Sequence, residues 1–206
     1  WPFMTIYLRQ RLGVPLSAVT LLLTIDSATS ILSSFAAGPV TDRFGRKGVM
    51  VLSLGMMGLT YALMSRAVSI PFFAVLMCLR GAFNPLYRIG SDAMIADLIP
   101  LADRPDAYAV LRMMNNVGFA IGPTVGGFIT ASSYSTAFLI AACGMTFYSL
   151  FAALAIHETL PSSARLARPE KEKAGGYGRV LKDRFFLKFV TATTMTGMAS
   201  SLVFEI

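Results

Sequence analysis

The chain has 206 residues, of which 55% are hydrophobic and only 14% charged, and its mean hydropathy is +0.63. Soluble domains carry about 25% charged residues, so this composition excludes an ordinary soluble enzyme and points to an integral membrane protein. The net charge of +7 raises nucleic acid as a partner. The bases nevertheless lie mostly between apolar runs, which is the pattern of membrane topology, and no nucleic-acid partner is expected.

Apolar runs of about 20 residues are read as membrane-spanning helices. Residues 1–8 are too short to span and read as the tail of a helix. Residues 16–40 form the first whole span, 48–65 the second and 71–96 the third, with Pro71 suited to a first helical turn. Residues 107–130 form a glycine-rich span and 136–156 the last whole one, after a tight turn. Segment 157–184 alternates charge around Glu170, Lys171, Glu172 and Lys173, and it reads as a solvated cytoplasmic linker between two bundles. Residues 185–206 begin a further helix. The expected architecture is an all-α membrane protein with an N-terminal transmembrane bundle over 1–156, and the chain reads as truncated at both ends.

Lys and Arg distribution sets the expected orientation. Arg43, Arg46, Lys47, Arg104 and the basic residues of the long loop through Lys188 lie on one side, opposed only by Arg9, Arg11 and Arg66. That asymmetry predicts a multi-pass protein of the cell membrane, with the lipid bilayer as partner and with loops 41–47 and 157–184 in the cytoplasm.

Three groups of residues stand out. Asp26 lies about ten residues inside a span, roughly 15 Å deep at ~1.5 Å per residue. A carboxylate there is costly and is by default a functional candidate. Ser30, Ser33 and Ser34 follow at helical spacing and predict a polar stripe beside a cavity; a neutral acid bonded to a neighbouring helix is the plainer alternative. Arg80 shares that depth and is placed to pair with Asp26, to bind an anionic substrate or to snorkel outward. Arg88 and Asp92, four residues apart, read as an intrahelical pair. Asn84, Asn115 and Asn116 are further cavity candidates, or interhelical hydrogen-bonding groups.

The second group is Gly118, Gly122, Pro123, Gly126 and Gly127. Its glycines clear a helix face for close approach, and the proline sits in mid-helix. The third is the short charged hinge Gly38, Asp42, Arg43, Gly45, Arg46 and Lys47. A weak internal echo links Phe35–Val40 to Phe119–Val125, as an inverted repeat requires, although chance in Gly/Ala-rich sequence accounts for it equally well. The chain has one histidine and two cysteines, and both cysteines fall inside apolar runs. No metal-ligand cluster or phosphate-cradling loop is apparent, so neither an enzyme nor a bound cofactor is expected.

These motifs together resemble the major facilitator superfamily. The hinge is similar to that family's signature between its second and third helices. The glycine-rich span is similar to the fifth-helix signature of the drug:proton antiporter branch, and Asp97 with Arg104 resembles the loop after the fourth helix in that branch. The resemblance implies the N-terminal six-helix bundle of a twelve-helix transporter, built as a 3+3 inverted repeat, with residues from 185 onward starting helix 7. It implies proton-coupled export of small amphipathic compounds, cations among them, with the proton as coupling ion. A transporter of one metabolite such as a sugar or amino acid, or a non-transporting membrane receptor or assembly partner, are the alternatives. It further implies that the hinge is a conformational latch, in which Arg46 pairs with Asp97 and Asp42 meets a helix of the missing C-terminal bundle. One departure is visible: the arginine usual four residues before the glycine at 81 is replaced by Met77, and Arg80 is the nearest base.

Overall fold

A computed structural model describes residues 2–11, 13–160 and 182–204. Among the described residues every regular element is a helix: α1 (Pro2–Arg11), α2 (Leu16–Phe44), α3 (Arg46–Met64), α4 (Ile70–Leu98), α5 (Arg104–Ser132), α6 (Tyr134–Ala155) and α7 (Arg184–Phe204). The chain divides near residue 161 into a unit holding α1–α6 and a second holding α7. Most of the long linker, residues 161–181, lies outside the described residues.

The helices run longer than their apolar cores. Residues 41–44, expected in a loop, instead complete α2 through Pro39, and α3 starts at Arg46. Gly45 alone makes the turn, with φ at +94°, a region that side-chain-bearing residues rarely adopt. Chain reversal in one residue leaves no room for a loop, so the charged hinge residues sit on helix ends. Capping is local elsewhere. Ser133 Oγ accepts from the Thr136 amide at 3.3 Å at the start of α6. Asp183 Oδ1 accepts from the Phe185 and Phe186 amides at 2.8 and 3.2 Å at the start of α7, satisfying donors that helices leave open.

Helices α2, α3, α4 and α6 are long and apolar enough to cross a membrane. The 29 residues of α5 are not apolar enough, because Arg112, Asn115, Asn116 and four glycines dilute them. The expected glycine-rich span is therefore a helix of adequate length but mixed polarity.

Two apolar clusters bracket the bundle. The first joins Tyr7 and Leu8 to Val19, Leu22, Met64, Phe73 and Met77, around a hydrogen bond from Tyr7 Oη to the Ala67 carbonyl at 3.3 Å. The second joins Met50, Leu54, Met94 and Ala152. In lipid such contacts gain little from water exclusion, so close packing and interhelical hydrogen bonds hold the helices together. The α3–α6 crossing shows both. A Cβ at Gly58 would lie 2.6 Å from Thr146 Oγ1, and Ser149 Oγ donates to the Val51 carbonyl at 2.8 Å.

Candidate functional site

The tightest helix crossing holds the buried charges. Arg80 on α4 donates through Nε to Asp26 Oδ1 at 3.0 Å and through Nη2 to Oδ2 at 2.7 Å. Both residues are 7% exposed. This is the bidentate fork that a planar guanidinium makes with a carboxylate, and it offsets part of the desolvation cost of each ion. Gly81 makes it possible. A Cβ at that position would collide with the Asp26 carbonyl oxygen and lie 3.1 Å from Thr29 Cβ. Without one, the α4 backbone lies against α2 beside the acid. One turn along, Thr29 Oγ1 meets Cys78 Sγ at 3.3 Å, and Ser33 Oγ donates to the Ala82 carbonyl at 2.5 Å.

Ser33 thus belongs to the α2–α4 contact rather than to a cavity wall, and Ser34 turns back onto the Ser30 carbonyl of its own helix at 2.8 Å. Met77 is fully buried in the apolar cluster. Arg80, three residues later, holds the charge instead.

A cavity of about 280 Å³ opens beside Arg80, walled by Met4, Tyr61, Tyr134 and Phe138 with Thr130 and small residues including Gly126. Arg80 reaches this wall and Asp26 stands behind it; Ser30, Asn84, Asn115 and Asn116 do not line it. A molecule in the cavity therefore meets the basic member of the pair, between aromatic rings.

A second charged cluster sits at the Gly45 end of the bundle. Arg46 Nη1 contacts Asp97 Oδ2 and donates to the Ala93 carbonyl at 2.8 Å, while Nη2 stands 3.8 Å from Asp42. One arginine so links the ends of α2, α3 and α4. Gly90 keeps the helices close, since a Cβ there would lie 3.5 Å from Thr41 and 3.6 Å from the Arg46 carbonyl. Arg104 stands apart from this network. It donates to the Ile99 and Ala96 carbonyls at 3.2 and 2.5 Å and closes the end of α4, whose last carbonyls lack helical partners. Arg43 lies over the Phe44 ring, 5.6 Å from its centroid, and is exposed with it, while Lys47 is half-buried. Gly38 has no neighbour within 4 Å of a Cβ position, and neither do Gly118 and Gly122.

Glu158 is the residue the linear reading missed. Expected at the head of a solvated linker, it instead accepts through Oε1 from the Arg46 amide at 3.1 Å and from the Leu160 amide at 3.1 Å. A carboxylate at the first turn of α3 faces the positive end of that helix. The available signal was an acid directly after the last whole span, on the side where α3 begins. Arg88 and Asp92 form no ion pair among the described residues, contrary to the intrahelical pairing expected from their spacing.

Comparison with known proteins fits this architecture. The family model for the Major Facilitator Superfamily matches residues 1–206. A Na(+), Li(+), K(+)/H(+) antiporter of Planococcus maritimus is 32% identical over 93% of this chain and 48% of its own length. Multidrug resistance protein 1 of Bacillus subtilis is 28% identical over 89% of this chain and 47% of its own. Multidrug resistance protein 2 of the same organism is 24% identical over 87% and 46%. The chain spans about half the length of these curated relatives. With a family match along its whole length, the chain belongs to the major facilitator superfamily.

Proposed function

We propose that this chain is half of a secondary transporter of the cell membrane that exports small amphipathic compounds in exchange for protons, by alternating access. The observation that carries the reading is the buried bidentate pair between Asp26 and Arg80. An acid at this depth, held by a single base, has two arrangements available. Ionised, it binds Arg80 and draws α2 and α4 together; protonated, it loses its charge and releases the guanidinium toward the adjacent cavity. The antiporter and multidrug resistance names of relatives support exchange and export.

In this reading the Asp42, Arg46, Asp97 and Glu158 cluster is a latch on the cytoplasmic side. It holds helix ends together in one state and opens in the other, while a second bundle supplies the facing half of the site. The glycines of α5 give that bundle a surface for close approach, and the proton is the coupling ion.

The reading is tested with the full-length transporter in liposomes carrying an imposed pH gradient. Wild-type protein is expected to drive efflux of an amphipathic dye, and dissipating the gradient is expected to stop it. Flux that ignores the gradient identifies a uniporter, dye-independent uptake of a sugar or amino acid identifies a metabolite transporter, and no flux identifies a receptor. A second variant addresses the latch. Asp42→Asn is expected to slow exchange about tenfold, as loss of one charge-assisted contact does, with ligand affinity largely kept. Equal loss of rate and binding assigns the hinge to folding instead.

A further inference from the structure

We propose that Arg88 of α4 and Arg112 of α5 form a binding site for the negatively charged head group of a small amphipathic molecule. The proposal rests on the transport reading above and narrows its substrate class to organic anions, typified by an aromatic carboxylate.

The placement follows from one hydrogen bond. Tyr108 Oη donates to the Asp92 carbonyl at 3.2 Å, which sets the level of α5 against α4. A short connection from Leu98 to Arg104 joins the two helices, so chain order from this contact runs backward along α4 and forward along α5. Arg88 lies one turn before Asp92 and Arg112 one turn after Tyr108, so both arginines lie one turn deeper on the faces that make this contact. The next turn of each helix carries Asn84 and Asn116.

Charge identifies the occupant. Arg88 and Arg112 are both exposed, and among the described residues neither has an ion pair or hydrogen bond. Asp92 neighbours Arg88 on its own helix without pairing to it. Asp26 already neutralises Arg80, so Arg88, Arg112 and Asp92 leave a net positive charge at this level. A guanidinium in the apolar run of α4 is costly unless something meets it, and two at one level repel. A carboxylate between them relieves both costs with fork geometry that lysine does not offer. A cation brought to the same place meets repulsion. The apolar body of such a ligand has Met113 and Met114 beside it, 54% and 55% exposed, and methionine adapts to varied shapes. Exchange of one entering proton for one leaving anion also moves two charges in the same electrical sense. The membrane potential then drives export together with the pH gradient.

The test uses full-length transporter in detergent and in liposomes, with radiolabelled salicylate as the anionic probe and tetraphenylphosphonium as the cationic one. Saturable salicylate binding is expected, weakened about tenfold to a hundredfold by Arg88→Gln and by Arg112→Gln. Arg→Lys variants are expected to keep part of the affinity, and tetraphenylphosphonium binding is expected to hold or tighten in the Gln variants. Unchanged salicylate affinity in both Gln variants overturns the site. So does equal loss of both probes with a lowered unfolding temperature, because the arginines then pair with acids elsewhere in the fold. Arg-dependent salicylate binding together with flux that ignores the proton gradient leaves this site standing and removes only the proton-coupled reading.

Discussion

Asp26→Ala is expected to destabilise the protein by about 3–5 kcal/mol, the usual consequence of leaving one member of a buried ion pair uncompensated. Arg80 is 7% exposed, and removing the carboxylate takes away its bidentate partner in that buried setting. Arg80→Met is expected to destabilise as well, because it leaves Asp26 buried without its bidentate partner. The Asp26→Ala/Arg80→Met double variant should recover most of the loss, since neither charge then remains buried. A double-mutant cycle on thermal unfolding in detergent reads this directly as an interaction energy. Additive single effects would sink the pair as a structural unit. Function is expected to separate from stability: the double variant folds yet carries no pH-driven exchange, having no carboxyl to protonate.

The second large effect concerns Gly81. Its added Cβ meets the carbonyl oxygen of Asp26 and Thr29 Cβ at 3.1 Å, and a main-chain oxygen cannot rotate aside as a side chain can. Gly81→Ala therefore pushes α4 away from α2, with a cost of about 1–3 kcal/mol for overpacking, and it stretches the fork between Arg80 and Asp26. Gly144→Ala in α6 is the matched control, because nothing lies within 4 Å of its Cβ position. There the gain in helix propensity, up to about 1 kcal/mol, should appear unopposed. Equal unfolding temperatures for the two variants would mean that α2 and α4 are not in backbone contact at this point.

Some of this site was legible in the linear sequence and some was not. Asp26 and Arg80 announce themselves as charges inside apolar runs, and counting residues from each helix start places them at one depth. Whether they meet is a different matter, because depth leaves rotation about each helix axis open. Gly81 resolves it by letting two backbones touch. Arg88 and Asp92 show the reverse: correct spacing for a pair, but side chains that do not meet. Glu158 was hidden because its partner amide at Arg46 lies 112 residues away, and no local pattern spans that distance.

Sequence alone determined the membrane class and the all-helical architecture, because hydropathy and length act locally and the bilayer imposes one scale on both. It also carried the family, through the charged hinge and the glycine-rich helix. Tertiary structure alone decided that the hinge is a single residue at Gly45, that Asp42 and Glu158 join the Arg46–Asp97 contact the family resemblance implies, and that Arg80 rather than Asp26 lines the cavity. Those outcomes depend on which faces of separate helices come together. That choice is made by close packing at glycines and by the cost of burying each charge alone, and neither is encoded in a run of neighbouring residues.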